Sequence, residues 1–352
     1  MTEYRRLGHS GLTVSAVGLG CNNLGRANTP TESQEGTDAV VHAAIDAGVT
    51  FFDVADVYGR EPGLSETMLG KALKGHRDDV VIGTKFGMDM HGANGNDFGA
   101  RGSRRYILKA VEASLRRLGT EWIDLYQFHT PDPQTPIEET LAALDVLVTS
   151  GKVRYIGHSN FAGWQIAEAE YVGRQSGGVR FISTQNHYNL LDRRAELEVI
   201  PAASAFSLGV LPYFPLANGL LTGKYSAGHA PEGSRLSHTR TNLVHDADWQ
   251  QLGRFGQFAK ERGITELQLA FSWLAAQPGV SSVIAGATRP EQIRENAEAV
   301  LKALTTLPIL IAKQPRRSRR VRSAPSIQTT IHLPRTSNLR RVMGRLVIDD
   351  PT

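Results

Sequence analysis

Eight short apolar segments alternate along this chain with segments of helical periodicity, and this alternation constrains the fold more than any other feature. Short apolar runs are typical of buried strands, and repeated strand–helix units place successive strands parallel in one sheet. Eight such units within about 250 residues predict an α/β fold, a (β/α)8 TIM barrel. The predicted strands lie at 16–21, 50–55, 80–85, 123–129, 155–160, 181–186, 209–216 and 281–287. The predicted helices lie at 33–47, 66–73, 104–118, 137–149, 164–174, 195–207, 266–276 and 290–304.

Two further segments complete the predicted architecture. The residues YRRL, GHSG and LTVS near the start of the chain predict an N-terminal β-hairpin that closes the floor of the barrel. The connection from Gly219 to Gly263 is much longer than the usual few residues, and we expect a functional or mobile loop there. No linker-like composition divides the chain before residue 305. We therefore expect one barrel domain over 1–312, followed by a tail over 313–352.

The basic charge of the chain is concentrated in this tail. The formal net charge is +4, but ten Lys or Arg and only two Asp lie from Lys313 to the end. The residues before Lys313 hold 29 basic and 33 acidic side chains, so the barrel itself is acidic. The overall charge therefore does not predict a nucleic-acid-binding domain, and nucleic acid is not an expected partner.

The tail is predicted to be disordered from about Lys313, because it is rich in Arg, Pro and Ser and lacks an amphipathic period. Three explanations stay open for it. The segment is a fused or frame-shifted C-terminus without a selected role, an electrostatic tail that binds an acidic partner, or a folded segment that the pattern does not reveal.

Composition also bears on the location of the protein. The chain has no run of 18 or more apolar residues, so no membrane span is expected. The first residues, MTEYRRLGHSGLTVS, lack the apolar region of a secretory signal. Cys21 is the only cysteine, which excludes an internal disulfide and fits a reducing compartment. We therefore expect a cytoplasmic protein.

Four polar residues follow three neighbouring predicted strands. Asp53, Lys85 and His129 stand at the ends of the second, third and fourth strands, and Tyr58 lies in the loop after Asp53. Because the carboxyl ends of barrel strands face the reaction site, we expect these side chains to meet. The Lys85 ammonium would lower the pKa of the Tyr58 phenol, Asp53 would hold Lys85, and His129 would orient a substrate carbonyl.

Each of these residues alone is more often structural, and only the combination favours a catalytic site. Together they predict a general acid that gives a proton to a carbonyl oxygen receiving a hydride.

From about Tyr4 to Ala299 the chain resembles the aldo-keto reductases, in particular their bacterial members. The pattern F-D-x-A-x-x-Y-G contains Asp53 and Tyr58, the strand end T-K contains Lys85, and D-L-x-x-x-H contains His129. The resemblance implies a catalytic tetrad that reduces aldehydes or ketones with NADPH on a (β/α)8 barrel. The expected partner is therefore a small-molecule carbonyl substrate.

The resemblance also implies cofactor contacts in later segments, which read GHSN, STQN, LPYFPLANGLLTGKY and VIAGATRPEQIREN. GHSN and STQN would bind the nicotinamide carboxamide. LPYFPLANGLLTGKY would bind the nicotinamide ring and the pyrophosphate, and VIAGATRPEQIREN would bind the adenosine phosphate. The expected contacts are Ser159, Asn160 and Gln185 for the carboxamide, Tyr213 for the ring, Pro215, Leu216, Gly219, Leu221, Gly223 and Lys224 for the pyrophosphate, and Gly286, Ala287, Thr288, Arg289, Gln292, Glu295 and Asn296 for the adenosine end.

NADPH is the predicted cofactor, with NADH left open. Family members committed to NADPH often have a Lys-Ser pair and an Arg where this chain has Gly286, Ala287 and Gln292. Arg289 stands nearby and is suited to contact a 2′-phosphate through two hydrogen bonds. No spacing of His with Cys or carboxylates predicts a metal site.

One alternative function stays open, a non-catalytic NADPH-binding regulatory or partner subunit, because channel-associated β subunits share this barrel.

Overall fold

The computed structural model describes residues 2–306, and side chains up to residue 300. An antiparallel hairpin, β1 (Tyr4–Arg6) and β2 (Thr13–Ser15), precedes a separate sheet of eight parallel strands. The order of the strands in that sheet follows the chain, with the last strand beside the first. The eight strands are β3 (Val17–Gly20), β4 (Phe51–Asp53), β5 (Val81–Phe86), β6 (Ile123–Phe128), β7 (Val153–Ser159), β8 (Ser183–Gln185), β9 (Gly209–Val210) and β10 (Val283–Gly286).

The sheet closes into a ring between its last two strands. Val210 forms an isolated parallel bridge with Val280, and the Ser281 amide donates a 3.0 Å hydrogen bond to the Val210 carbonyl. Because every strand then has a neighbour on both sides, the sheet is a barrel without open edges. The predicted (β/α)8 barrel is confirmed.

Helices surround the barrel and agree with the predicted pattern at most positions. The helices at 104–118 and 137–149 begin and end at the predicted residues. Gly48, Gly119 and Gly151 each follow a helix with positive φ, as expected of residues just past a helix C-terminus. The helices are α1 (Gln34–Asp46), α2 (Leu64–Ala72), α3 (Arg104–Leu118), α4 (Ile137–Thr149), α5 (Gly163–Ser176), α6 (Val199–Ala205), α7 (Arg235–His238), α8 (Asn242–His245), α9 (Trp249–Glu261), α10 (Glu266–Ala275) and α11 (Pro290–Thr306).

Several elements are shorter than predicted, and two of them are shorter by six residues each. The strand expected over 209–216 ends at Val210, because Pro212 and Pro215 have no amide hydrogen for a sheet ladder. The helix expected over 195–207 is limited to α6, since its first residues form a separate 3-10 turn, Arg194–Glu196.

The prediction of a loop over the whole of 219–263 is wrong in its second half. This connection contains α7, α8 and the 13-residue helix α9. The Asp248 side chain accepts a hydrogen bond from the Gln251 amide and so caps the start of α9. Trp249, Leu252 and Phe255 recur at helical spacing and pack against a small separate core. They form an apolar helix face that the Gly, Ser and His content of the connection does not indicate.

The hairpin closes the barrel floor as predicted. Leu7 and Val14 are fully buried with Leu125 and Leu211 in an apolar cluster at this end of the barrel. Gly8 has a φ of +60°, and a Cβ there would lie 2.5 Å from the Gly209 amide nitrogen, so no other residue fits this contact. The larger apolar core lies between the outer face of the sheet and the helices.

Within residues 2–306, no helix is both long and apolar enough to cross a membrane. The predictions for the tail, including the domain boundary at 312 and disorder from Lys313, lie outside the described residues.

Candidate active site

The carboxyl ends of β4, β5 and β6 bring three of the predicted residues together. Asp53 is the last residue of β4, Lys85 is the penultimate residue of β5, and His129 directly follows β6. Their exposed fractions are 3%, 0% and 7%. The parallel register pairs Asp53 with Gly83, and Lys85 with Gln127, so the side chains meet inside the upper end of the barrel.

Lys85 lies at the centre of this group. Its Nζ is 2.8 Å from the Asp53 carboxylate, 2.9 Å from the Val54 carbonyl oxygen and 3.4 Å from the Tyr58 hydroxyl. Burial acts to lower the pKa of Lys85, but the Asp53 carboxylate and Tyr58 outweigh it, so the pKa is raised above its usual value. Lys85 is therefore a buried ammonium held by one carboxylate and directed at one phenol.

The pKa of Tyr58 differs from the sequence-based prediction. Burial raises the pKa of the phenol, the Lys85 ammonium lowers it, and the Asp53 carboxylate raises it again, which leaves the pKa above its ordinary value. The predicted effect of Lys85 on this pKa is present but does not prevail, because burial, the largest effect, raises the pKa and the Asp53 carboxylate offsets part of the lowering by Lys85. Tyr58 is consequently a protonated donor at neutral pH.

His129 completes the set beside the Tyr58 phenol. Its ring lies edge-on to the Tyr58 ring, with 5.8 Å between the ring centroids. Burial and the Lys85 charge both hold the pKa of His129 well below its usual value, so the imidazole is neutral and has one N–H to donate. The backbone amide of His129 donates to the Phe86 carbonyl, and this bond fixes the ring position after the strand ends.

Two glutamines support Asp53, and the sequence analysis missed one of them. Gln185 Nε2 donates to Asp53 Oδ1 at 2.8 Å, and Gln127 Nε2 donates to the same oxygen at 3.3 Å. Gln127 stands two residues before His129 and therefore points into the barrel from the same strand. The presence of a polar residue at an inward-facing strand position was the sequence signal that could have identified Gln127.

Three of the predicted carboxamide and ring contacts lie side by side. Asn160 Nδ2 donates to the His129 carbonyl at 2.9 Å and lies 3.1 Å from Ser159 Oγ, while Tyr213 Oη donates to Asn160 Oδ1 at 2.8 Å. Asn160 is exposed and has a φ of +61°, a conformation that a non-glycine residue seldom adopts. Gln185 joins the group through its backbone carbonyl, which accepts from Ser159 Oγ, but its amide nitrogen faces Asp53.

A histidine that the sequence analysis did not single out supports Tyr213 from behind. The His187 ring stacks parallel to the Tyr213 ring, with centroids 5.4 Å apart, and His187 Nδ1 lies 3.1 Å from the Asp192 carboxylate. Tyr213 is therefore presented as a rigid flat surface, which suits stacking against a planar ring.

The predicted pyrophosphate segment has an unusual backbone. Phe214, Ala217 and Asn218 have φ values of 53°, 47° and 60°, and Gly219 and Gly223 are also left-handed. Left-handed residues next to right-handed ones turn successive amide groups to one side and form concave anion sites. Non-glycine residues with left-handed backbone angles raise the free energy of the folded state, and they concentrate at functional sites. Pro215 and Leu221 are buried, Leu216 is partly buried, and Lys224 is exposed at the end of the segment.

Three arginines lie near this segment, and the sequence analysis missed all of them. Arg235 and Arg240 stand over the Phe214 ring, with Cζ 5.9 Å and 5.5 Å from its centroid. Burial and the charges of Arg26 and Arg240 lower the pKa of Arg235 to about 10, and burial with the Arg240 charge lowers the pKa of Arg26. Among the described residues none of the three forms an ion pair, and clustered guanidinium groups of this kind favour an anionic ligand. Arg26 lies more than two hundred residues before Arg235 and Arg240, so only the fold reveals the cluster.

The start of α11 carries the remaining predicted contacts. Gln292 Oε1 accepts from the Thr288 amide at 2.8 Å, which closes the first turn of the helix and leaves Arg289 exposed. Asn296 is 3% exposed, Ala287 is buried, and Gly286 and Glu295 are exposed. Gly286 ends β10, where an added Cβ would lie 2.6 Å from Asn23 Nδ2, so this strand end closely approaches the loop after β3.

These features fit a nicotinamide dinucleotide. The features are a flat aromatic surface, an exposed amide, a left-handed concave backbone and clustered guanidinium groups. The ring, the carboxamide and the phosphates of such a cofactor need groups of these kinds.

The chain also matches a known family and several of its members. A family model described as the Aldo/keto reductase family matches residues 16–308. An uncharacterized oxidoreductase of Bacillus subtilis (strain 168) is 38% identical over 305 residues, which cover 85% of this chain and 91% of the relative.

Two further relatives have more specific descriptions. An L-glyceraldehyde 3-phosphate reductase of Escherichia coli (strain K12) is 36% identical over 312 residues, 85% of this chain and 87% of the relative. A probable voltage-gated potassium channel subunit beta of Oryza sativa subsp. japonica is 37% identical over 318 residues, 88% of this chain and 93% of the relative. With the family model spanning the whole barrel, the chain belongs to the aldo/keto reductase family, whose activity is the NAD(P)H-dependent reduction of carbonyl compounds.

Proposed function

We propose that this protein reduces an aldehyde or ketone with NADPH and that Tyr58 is its general acid. The observation that supports this most directly is the position of Lys85, whose Nζ contacts both the Asp53 carboxylate and the Tyr58 hydroxyl. A buried ammonium directed at a phenol is required when that phenol must lose a proton and carry a negative charge during turnover.

The cofactor, when bound, supplies the hydride that reaches the carbonyl carbon. Tyr58 then gives its proton to the carbonyl oxygen, and the Lys85 ammonium stabilises the phenolate that remains. Asp53 keeps Lys85 charged and in place, with support from Gln127 and Gln185. His129, neutral because of its lowered pKa, donates a hydrogen bond that orients the carbonyl oxygen.

The proposed cofactor contacts follow the geometry of the upper face. Ser159 and Asn160 would bind the carboxamide, Tyr213 would stack on the ring, and the segment from Pro215 to Lys224 would hold the pyrophosphate. We add Arg26, Arg235 and Arg240 to the predicted set as phosphate contacts, since they are clustered cations without carboxylate partners among the described residues. The start of α11 would hold the adenosine end, through Gly286, Ala287, Thr288, Gln292, Glu295 and Asn296.

The proposed preference for NADPH depends on Arg289. This side chain is exposed at the start of α11, where a guanidinium can form two hydrogen bonds to a 2′-phosphate. NADH would lose these bonds but keep the pyrophosphate contacts, so we expect NADH to support slower turnover at equal concentration.

A substrate panel tests this function. Oxidation of NADPH and of NADH would be followed with aldehydes, ketones, sugars and pyridoxal, using Tyr58→Phe as the control for enzyme-dependent turnover. We expect at least one carbonyl class to be reduced, with a marked loss in Tyr58→Phe. Equal rates for the two proteins with every substrate would contradict the proposal.

A second function has a specific observation in its favour. The relative described as a potassium channel β subunit matches this chain as well as the L-glyceraldehyde 3-phosphate reductase does, at 37% against 36% identity. A regulatory or partner subunit would bind NADPH through the same residues and turn over only slowly. Tight NADPH binding without steady-state turnover on the whole panel would favour this alternative.

We also propose a cytoplasmic location, which the lone and buried Cys21 supports. A nucleic-acid partner is not proposed. Salt-sensitive binding of nucleic acid that disappears when residues after 312 are deleted would contradict this.

A further inference from the structure

Behind the ends of β4 and β5 lies a buried polar network that the proposed reaction does not use. It consists of Asp56, Glu66, Thr84, Asn94 and Arg117, and we call it the Arg117 network. Asp56, Glu66 and Thr84 are fully buried, and Asn94 is 6% exposed. Buried polar groups are costly unless they are bonded, so a set of this size indicates a structural demand at this place.

Arg117 on α3 connects four separate parts of the chain. Its Nε donates to Glu66 Oε2 at 2.7 Å, and Thr84 Oγ1 donates to Glu66 Oε1 at 2.6 Å, which joins α2 to β5. Its Nη1 donates to Asn94 Oδ1 at 2.9 Å, and Asn94 Nδ2 donates to Asp56 Oδ2 at 3.0 Å. The planar guanidinium thus spans two branches that meet nowhere else in the network.

The first branch ends beside Lys85. Thr84 precedes Lys85 in β5, and because side chains alternate along a strand, Thr84 points toward the helices while Lys85 points into the barrel. The bond from Thr84 to Glu66 therefore anchors the strand directly behind Lys85.

The second branch ends in the loop that carries Tyr58. The Asp56 amide donates to the Lys85 carbonyl, and the Gly63 amide donates to the Asp56 carbonyl at 2.6 Å. The Tyr58 carbonyl accepts from the Ser65 amide at the start of α2. Gly63 has a φ of +87°, and a Cβ there would lie 2.5 Å from Arg117 Cδ, so Arg117 also packs against the end of this loop.

The charges of the network show why Arg117 matters. Burial, followed by the charge of Glu66, raises the pKa of Asp56 well above its usual range, and Arg117 and Asn94 act against this rise. Arg117 is the single cation among the five residues of the network, and it is the group that joins Glu66 to the branch ending at Asp56.

We propose that Arg117 is a positioning residue that sets the approach of the Tyr58 hydroxyl to the Lys85 ammonium by fixing the loop of one and the strand of the other. The inference rests on the proposed function of Tyr58 as general acid. Without the network, the loop keeps its backbone bonds but loses its side-chain anchor, and Tyr58 moves away from Lys85.

Two variants break the network at different points. Arg117→Lys keeps the charge but cannot form the fork that reaches both Glu66 and Asn94. Asn94→Leu keeps the branched arrangement of four side-chain heavy atoms and leaves the Arg117–Glu66 ion pair in place, while it separates Arg117 from Asp56. Arg77→Lys serves as the matched control, because Arg77 forms a similar partly buried pair with Asp124 (2.7 Å) at the other end of β5.

We expect both network variants to lower kcat about ten- to hundredfold, with little change in the dissociation constant of NADPH. The alkaline limb of the pH profile of kcat should move to higher pH, because a phenol farther from the Lys85 ammonium has a higher pKa. Arg77→Lys should lower the melting temperature without moving that limb. If Arg117→Lys does not fold, Asn94→Leu decides the question by itself.

Wild-type kcat and an unmoved alkaline limb in folded network variants would overturn the proposal. A decrease in kcat no larger than the decrease caused by Arg77→Lys would also overturn the proposal. Tyr58→Phe is measured in parallel: if it is impaired while the network variants are not, only the positioning role fails. If Tyr58→Phe matches the wild-type enzyme, the proposed general acid itself is wrong.

Discussion

Charge is arranged differently on the two sides of the upper barrel face. Around Tyr58, the Lys85 ammonium and the Asp53 carboxylate are buried and paired with each other. Around Phe214, the guanidinium groups of Arg235 and Arg240 stand together, and no carboxylate among the described residues pairs with them. On the first side, the opposite charges are already paired within the protein. The second is proposed to bind an anionic ligand, so substitutions on the two sides should affect different measurements.

Tyr58→Phe should have the largest effect on catalysis and none of note on binding. Loss of the proton donor should reduce carbonyl turnover at least about a hundredfold, the scale of general acid catalysis. NADPH affinity should stay close to wild type, because the phenol lies on the side whose charges are paired within the protein. Steady-state turnover and a fluorescence titration with NADPH separate the two effects. A folded variant with nearly normal turnover would refute the assignment.

Arg289→Ala and Arg235→Ala should weaken cofactor binding instead, and the two variants should differ in which cofactors they weaken. Arg289→Ala should weaken NADPH by about 1.5 to 3 kcal/mol, the range for hydrogen bonds to charged groups, and leave NADH nearly unchanged. Arg235→Ala should weaken both cofactors, since both contain the pyrophosphate. Titrations with each cofactor distinguish the two. Equal losses for NADPH and NADH in Arg289→Ala would make Arg289 a structural residue of α11.

Acid should destabilise the folded barrel through a histidine in its wall. Burial lowers the pKa of His158 to about 3, and its ring stacks against Phe161 at 4.4 Å. A folded pKa below the unfolded value of about 6.5 means that the unfolded chain binds the proton first, so stability falls as pH drops from about 6.5 toward 3. His158→Phe should reduce this slope by about 1 kcal/mol per pH unit. Urea unfolding at pH 7, 6 and 5 measures it, and an unchanged slope would show that His158 is not the group responsible.

Deletion of the residues after 312 should have the smallest effect. The composition of the tail predicts that it has too few apolar residues to offset the entropy of ordering, whereas Asn296 is already buried within α11. NADPH affinity and the melting temperature should therefore stay nearly unchanged, and substrate KM is the parameter to watch. A truncated protein that cannot bind NADPH, or protease protection throughout 313–352 in the full chain, would show that the tail is folded.

The sequence predicted the group around Tyr58 better than the arginine cluster, for a physical reason. Asp53, Lys85 and His129 end consecutive strands, so barrel topology alone brings them together, and their motifs are local. Arg26 and Arg235 lie more than two hundred residues apart in the chain, and nothing in the local pattern of either one indicates the other. The loop prediction for 219–263 failed similarly, because the apolar face of α9 packs on a small core that only the folded chain defines.

The pKa of Tyr58 could not be predicted from the residue types alone. A lysine beside a tyrosine lowers the phenol pKa, yet the depth of burial and the distance to Asp53 decide the net direction, and both are properties of the folded protein. Gln127 was missed because an amide in a strand has no motif, although its inward position could have indicated it.

Gln185 belongs to both sides of the barrel face at once. Its backbone carbonyl accepts hydrogen bonds from Ser159 and Asn160, and its side chain donates to Asp53, the carboxylate that holds Lys85. Any ligand that shifts Ser159 or Asn160 therefore also perturbs the partner of Lys85, and with it the proton affinity of Tyr58. Thermodynamic reciprocity then predicts the converse: at pH values near the raised pKa of Tyr58, cofactor affinity should vary with pH, and dinucleotide binding should be accompanied by release or uptake of a fraction of a proton.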